Sequence, residues 1–324
     1  MIKWGVIGAG NMGKTFAHAI KEVDNAKLVA IASLDNKRLD SFGNDFNIRK
    51  EFRFTSYEEI CKNKDIDAIY ISTLNNTHIE LIKLCATYKK NILCEKPFCL
   101  NFKEALEIEN ILKKNNTKFF EAIAYVSHPQ THAIQNLIIN NEIGEIKRIE
   151  SSFGFKIKRI KPDSRLFSEK FGGGAILDVG CYPLSFLSFF SKDNQIEFKS
   201  INGEICNTNV DISASANLLI ENKIDCSIKV SLKENFENNC IIYGSKKKII
   251  INNPWLPNKK TFLEVFDKNS YYKRFIETDL SVYANQIKNV SNKFLNISNV
   301  SSNLFDLSKA IKNMKLLDHW IKNI

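Results

Sequence analysis

The sequence is poor in the residues that build loose or stapled architectures. Its 324 residues include only six prolines and 13 glycines, too few for a low-complexity linker, so no tether divides the chain. None of the eight cysteines (Cys61, Cys85, Cys94, Cys99, Cys181, Cys206, Cys226 and Cys240) forms a C-x-x-C pair, and most lie in apolar runs. They read as buried, reduced thiols; a disulfide framework is excluded and no metal site is expected. No stretch approaches the roughly 20 apolar residues of a membrane-spanning helix. The chain opens directly into "KWGVIGAG", without a basic head, apolar middle and small-residue cleavage site. The expected location is cytoplasmic, with no membrane partner. A formal charge of +10 raises the question of nucleic acid, but the lysines are scattered, with no basic helix and no stripe of stacking aromatics. Nucleic acid is therefore not the expected partner, and an anionic small ligand accounts for part of the excess.

What is present has two rhythms. Up to residue 123, short apolar strands alternate with helical stretches: Ile2–Ile7, Lys27–Ala32, a weak Phe52–Thr55, Ala68–Ser72, Asn91–Cys94 and Lys118–Ala122. Apolar strands alternating with helices predict a parallel sheet covered on both faces. From residue 124 a helical stretch (Pro129–Asn140) leads into "EIKRIESSFGFKI", "SASANLLI", "IDCSIKVSL", "NNCIIYGS", "KKIIINN" and "TFLEVF". These predict a largely antiparallel sheet, followed by helices near Val282–Leu295 and Asn303–Ile321. The expected fold is an α/β dinucleotide-binding domain over 1–123 and an α+β domain over 124–324, packed together.

"GVIGAGNMGKTFAHAI" sets Gly8, Gly10 and Gly13 in G-x-G-x-x-G spacing between a strand and a helix. The glycines permit a tight turn, close approach to a pyrophosphate and close helix–strand packing. The helix start at Asn11 and Met12 offers N–H groups and a partial positive charge. At the end of the second strand, "VAIASLDNKRLDSF" puts Ser33 where NAD-type sites carry an acid, with Lys37 and Arg38 following. A 2′-phosphate wants cations and no acid there. NADP(H) is the cofactor expected, and NAD(H) the alternative should Asp35 turn inward.

Ligands of open α/β sheets bind outside the carboxyl ends of the strands. "ISTLNNTH" and "CEKPF" end two strands at that edge. Ser72, Thr73 and Asn75 are candidate cofactor contacts, as is His78, whose other reading is a plain first-turn helix residue. Lys96 is placed near the nicotinamide. Glu95 has three open readings: pairing with Lys96, orienting a neighbour or touching the ribose. Further on, "FGGGAILDVGCYPLSFLSFF" carries a triple glycine, and Pro183 suits only a helix's first turn, so a helix is expected to start near Val179–Tyr182. Asp178 and Tyr182 then fall four positions apart, a candidate acid–phenol unit. "FKIKRIKPDSRLF" adds Lys156, Lys158, Arg159, Lys161 and Arg165, either a solvated edge or a seat for an anionic substrate.

Together "GVIGAGNMG", "ISTLNNTH", "EKPF", "EAIAYVSHPQ" and "GGGAILDVGCYPL" resemble the glucose–fructose oxidoreductase / inositol dehydrogenase / MocA family. The resemblance is nearest to the branch of dihydrodiol dehydrogenases and sugar-nucleotide ketoreductases, which carry tyrosine where inositol dehydrogenases carry histidine. It implies a Rossmann domain followed by a domain whose open-faced sheet often makes a homodimer or homotetramer. It implies that Lys96 lies beside nicotinamide and substrate, that the Lys96–Pro97 bond is often cis, and that Asp178 and Tyr182 are the family's catalytic pair. Tyr125, in the segment where relatives read Tyr-Arg-Phe-His-Pro, is a candidate substrate contact, although Val126 replaces their arginine.

The expected reaction passes a hydride between nicotinamide C4 and a carbon of a sugar, sugar nucleotide or cyclic polyol. Tyr182 exchanges the proton, Lys96 polarises the oxygen, and Asp178 positions substrate or lysine. A phenol titrates near ~10; an ammonium about 4 Å away at an effective dielectric of ~20 favours phenolate by up to ~4 kcal/mol, or roughly three pKa units. A cofactor-binding sensor without turnover is the alternative, opposed by the presence of Lys96, Asp178 and Tyr182 together.

Overall fold

Short apolar runs form a sheet in the first part of the chain because their side chains are covered on both faces. In the computed structural model, which describes residues 1–191, 195–297 and 303–324, β1 (Ile2–Ile7), α1 (Asn11–Ala19), β2 (Ala26–Ala32), α2 (Asn36–Asp45), β3 (Arg53–Phe54) and α3 (Tyr57–Lys62) come first. They are followed by β4 (Ala68–Ile71), α4 (His78–Thr87), β5 (Asn91–Cys94), α5 (Phe102–Asn115) and β6 (Phe119–Glu121). The strands pair in the order β3-β2-β1-β4-β5-β6, all parallel. Val6, Ile7, Ile31, Ile69, Ile71 and Leu93 are fully buried. The order reverses between β1 and β4, which opens a crevice at the carboxyl edge.

After α6 (Pro129–Ile139) and β7 (Ile146–Gly154) come α7 (Cys181–Leu187), β8 (Ile196–Ile205), β9 (Asp211–Ile220), β10 (Ile224–Ser231), β11 (Asn239–Gly244), β12 (Lys248–Asn252), β13 (Lys260–Asp267) and β14 (Ser270–Glu277). The eight strands run β14-β13-β12-β11-β7-β10-β9-β8. Every neighbouring pair is antiparallel except β7 with β10. Ile149, Ile228, Ile242, Ile251 and Val265 are buried on one face. The alternate positions form an open face on which Phe275 is 71% exposed. The edge strands β8 and β14 escaped sequence reading: largely exposed, neither carries the apolar alternation that betrays a covered strand.

The expected helix start near Val179–Tyr182 is corrected. A π-turn spans Ile176–Gly180 and runs directly into α7, so helical backbone begins before Asp178. The wider turn just ahead of Pro183 accommodates a residue that lacks an N–H and would crowd a tighter helix. The helical run Glu169–Phe190 is also long and apolar enough, by length and composition, to cross a membrane, contrary to the expectation that no stretch is. In this structure 83% of its apolar window is buried inside the protein, as in a core helix.

α8 (Val282–Phe294) and α9 (Leu307–Lys322) close the chain. One compact unit comprises Met1–Ser127 with Leu280–Ile311, the other His128–Asp279 with Lys312–Ile324. This differs from a single boundary after residue 123, and the reason is visible in β1. Trp4, fully buried, donates from Nε1 to Ser291 Oγ at 3.1 Å and packs 5.6 Å from the Phe294 ring. Asn25 Nδ2 donates to Lys288 O at 2.9 Å. α8 thus covers sheet residues nearly 300 positions earlier. Seven of the eight cysteines are buried and Cys206 partly so, each a thiol.

Candidate active site

The phosphate end begins with a turn that only glycine fits. Gly8 has φ +108°, and a Cβ there would lie 2.9 Å from Ser72 O. Ser72 braces this turn, its hydroxyl lying 3.0 Å from Gly8 O. A Cβ on Gly13 would meet Gly8 O at 2.3 Å, whereas one on Gly10 would meet nothing within 4 Å. Open space in front of Gly10, beside a helix start without a side-chain cap, fits a pyrophosphate: the N–H groups at Asn11, Met12 and Gly13 lack intrahelical acceptors.

At the end of β2, the Ser33 hydroxyl is 3.2 Å from Asp35 N and 3.3 Å from Asp35 O, so it shapes the loop from a buried position. Asp35 caps α2 by accepting from Arg38 N–H at 3.1 Å, and its other oxygen lies 3.5 Å from Arg38 Nε. Its carboxylate is thereby occupied, while Lys37 and Arg38 are exposed.

The Lys96 turn is held from three sides. Glu95, 7% exposed, accepts from the Tyr70 phenol and, at 3.2 Å, from Lys96 N–H. Burial and the Glu95 charge hold the Tyr70 phenol well above its ordinary range. Behind the turn, the His78 ring lies 2.9 Å from Pro97 O through Nδ1 and 3.3 Å from Thr73 O through Nε2. Burial draws its pKa down to about 4, so at neutral pH the ring carries one proton, donated to one of these two carbonyls. His78 is fully buried, which corrects its reading as a cofactor contact: it supports the turn from beneath. On the third side, Glu121 Oε1 accepts from Phe98 N–H at 3.0 Å. The Lys96–Pro97 bond is cis. Thr73 shares a 2.6 Å hydroxyl contact with Thr77, and Asn75 starts the short 3-10 turn before α4. Tyr125 is 1% exposed, in a turn packed against α8; this corrects its reading as a substrate contact, because its ring serves the interior.

The second unit presents the acid and the phenol. Asp178, 7% exposed, accepts from Arg165 Nη1 at 2.8 Å. Arg165 therefore belongs to the carboxylate as well as to the basic segment, where Lys156, Lys158, Arg159 and Lys161 are exposed. The Tyr182 ring stands edge-on to Phe153 at 5.3 Å and tilted to Trp255 at 6.5 Å. Trp255 is fixed by Nε1 donating to Ser152 O at 3.0 Å. Sequence reasoning passed over Trp255, Tyr70 and Asp211, which lie outside the quoted motifs, and gave no role to Glu121, although it opens "EAIAYVSHPQ".

Asp211 explains the last of the three glycines, Gly174, where a Cβ would stand 2.2 Å from its Oδ1. Its Oδ2 accepts from Ile176 N–H at 2.7 Å, at the start of the π-turn. Burial raises its carboxyl to about 6 from the ordinary 3.8. The folded state therefore holds a proton more firmly than the unfolded chain, and Asp211's contribution to stability falls as pH rises from about 4 to about 6. The loss is on the order of 3 kcal/mol. Asp211→Asn should be more stable than the parent at pH 7 relative to pH 4; urea unfolding at both values measures the difference, and parallel curves would exclude the effect.

Residues 2–123 match the family model described as "Oxidoreductase family, NAD-binding Rossmann fold", and residues 131–250 match that of the GFO/IDH/MocA C-terminal domain. A trans-1,2-dihydrobenzene-1,2-diol dehydrogenase of Xenopus tropicalis is 31% identical over 258 residues, covering 79% of this chain and 77% of that one. The Mus musculus enzyme of the same name is 28% identical, covering 80% and 77%. A 3-ketoreductase from Actinomadura kijaniata, solved with NADP and TDP-benzene, superposes with a TM-score of 0.87 at 20% identity, covering 99% of this chain and 97% of that one. An aldose-aldose oxidoreductase from Caulobacter crescentus superposes at 0.89 with 16% identity, covering 99% and 97%. Both solved structures share the fold.

Proposed function

Because the chain belongs to the GFO/IDH/MocA oxidoreductase family, with both its NAD-binding Rossmann domain and its C-terminal domain, we propose that it is an NADP(H)-dependent oxidoreductase acting on a CH–OH or C=O group of a sugar, sugar nucleotide or cyclic diol. The observation that carries this reading is the bracing of the Lys96 turn at the carboxyl edge of the sheet, by Glu95 with Tyr70, by His78 and by Glu121. A solvated surface lysine needs no such support. Gly8, Gly10 and Gly13 with the start of α1 would hold the pyrophosphate, Lys37 and Arg38 the 2′-phosphate. The nicotinamide, when bound, supplies or accepts the hydride.

Lys96 polarises the reacting oxygen and Tyr182 gives or takes its proton. Asp178, held by Arg165, positions the substrate hydroxyls. The half-buried rings of Phe153 and Tyr182, backed by the buried Trp255, suit a ring carrying vicinal oxygens, as the names of the diol dehydrogenases and the TDP-bound ketoreductase suggest for those proteins. The open face of the second sheet would pair with a second copy, as a homodimer or homotetramer.

Fluorescence titration tests the cofactor. NADPH should bind at least tenfold more tightly than NADH, and replacing Lys37 and Arg38 by alanine should remove most of that preference through loss of charge-assisted phosphate contacts. Equal weakening of both cofactors would reject the assignment of these cations.

A further inference from the structure

Glu121 has no part in the proton chemistry proposed above, yet it lies against the Lys96 turn. It ends β6 and is 2% exposed. Its Oε1 accepts from Phe98 N–H at 3.0 Å, and its Oε2 is buried with no hydrogen-bond partner among the described residues. Its own N–H donates to Phe305 O at 2.9 Å, which pins the backbone. A bare, buried carboxylate oxygen is expensive, so this geometry favours the neutral acid.

The groups that face it come from several elements. Burial raises its carboxyl to about 8, with Glu95 adding to the rise while Phe98 N–H and Lys96 oppose it. At the end of β5, burial and then Glu121 and Glu95 keep the Cys94 thiol well above its ordinary range. Glu95 is itself faced by the phenols Tyr70 of β4 and Tyr283 of α8, both raised by burial and then by Glu95, with Lys96 lowering Tyr283. α4 contributes only neutral His78 behind Pro97.

We propose that Glu121 is a positioning residue whose proton governs Lys96. Neutral, it holds the turn through Phe98 and leaves Lys96 beside one buried carboxylate, Glu95; ionised, it becomes a second anion that binds the Lys96 ammonium more firmly and slows its exchange with the substrate oxygen. This rests on the proposed role of Lys96, so the test uses no substrate.

The whole protein is labelled with [δ-13C]glutamate and titrated by NMR, the Glu121 resonance being the one missing in Glu121→Gln. Glutamine keeps an acceptor for Phe98 N–H, and NADPH affinity within about twofold of the parent shows the turn intact. The resonance should titrate near pH 8 in the parent, and its midpoint should rise by about half a unit or more in Lys96→Met, where the neighbouring cation is gone. A midpoint in the ordinary range near ~4.3, or one that Lys96→Met does not move, overturns the proposal. Should Glu121→Gln not fold, the Phe98 amide in [15N]phenylalanine-labelled protein, assigned with Phe98→Leu, reports the same titration. Loss or retention of turnover in Lys96→Met decides the catalytic reading separately.

Discussion

Tyr182→Phe should lower turnover by about 10²- to 10⁴-fold, the usual worth of a positioned general acid or base, while NADPH binds as before. The variant removes one oxygen and nothing else. The ring keeps its edge-on contact with Phe153 at 5.3 Å and its place beside Trp255, so the aromatic packing is retained. The phenol is the only group changed, and with it the proton route to the substrate oxygen. Lys96→Met should cost a similar factor, and the double variant little more than either alone, because residues that act as one unit are not additive. Steady-state kinetics with trans-1,2-dihydrobenzene-1,2-diol and with a TDP-sugar, across pH, provide the measurement. Full turnover in Tyr182→Phe at every pH would remove the tyrosine from the mechanism and leave Lys96 as sole proton carrier.

The second large effect is structural. Gly174→Ala should destabilise the second unit by roughly 3–6 kcal/mol. Gly174 has φ +110°, where an L side chain is strained by about 1–3 kcal/mol. The new Cβ would also stand 2.2 Å from Asp211 Oδ1, so the carboxyl must leave the Ile176 N–H it now accepts at 2.7 Å. Losing a buried bond to an ionisable group adds about 1.5–3 kcal/mol. Against a total stability of 5–15 kcal/mol, the variant should melt about 6–24 °C lower in a thermal scan, at 2–4 °C per kcal/mol for a unit of this size. Gly172→Ala is the control: at φ +67° it lies in the left-handed region that other residues can enter, and about 1 kcal/mol is expected. Equal melting temperatures for the two would mean that Asp211 moves aside freely.

How much of this was readable beforehand divides along physical lines. The parallel sheet was legible because strands buried on both faces must be apolar runs, and the glycine loop because its spacing answers to one geometry. Lys96, Asp178 and Tyr182 were legible through motifs. The roles of Glu121 and Asp211 were not: Glu121 opens the motif segment "EAIAYVSHPQ" and Asp211 an ordinary strand, and the significance of each arises only when a distant loop sets a backbone N–H against it. His78 and Tyr125 misled for the converse reason, since their positions in motif segments say nothing about which way a ring turns. The edge strands β8 and β14 were hidden by exposure, and the π-turn by the expectation that proline starts a helix.

The covering of Trp4 by α8 bears on how the polypeptide is made. Ribosomes release the amino end first, and domains commonly fold as they emerge. Here the first unit lacks one wall until Ser291 and Phe294 have been synthesised, and β6, already paired with β5, lacks a contact on its outer edge until Phe305 appears, whose carbonyl accepts from Glu121 N–H at 2.9 Å. The nucleotide-binding half is therefore first in the gene and among the last parts to be completed. Until then Trp4 is without its cover from Ser291 and Phe294, and a fragment ended at residue 123 lacks that wall.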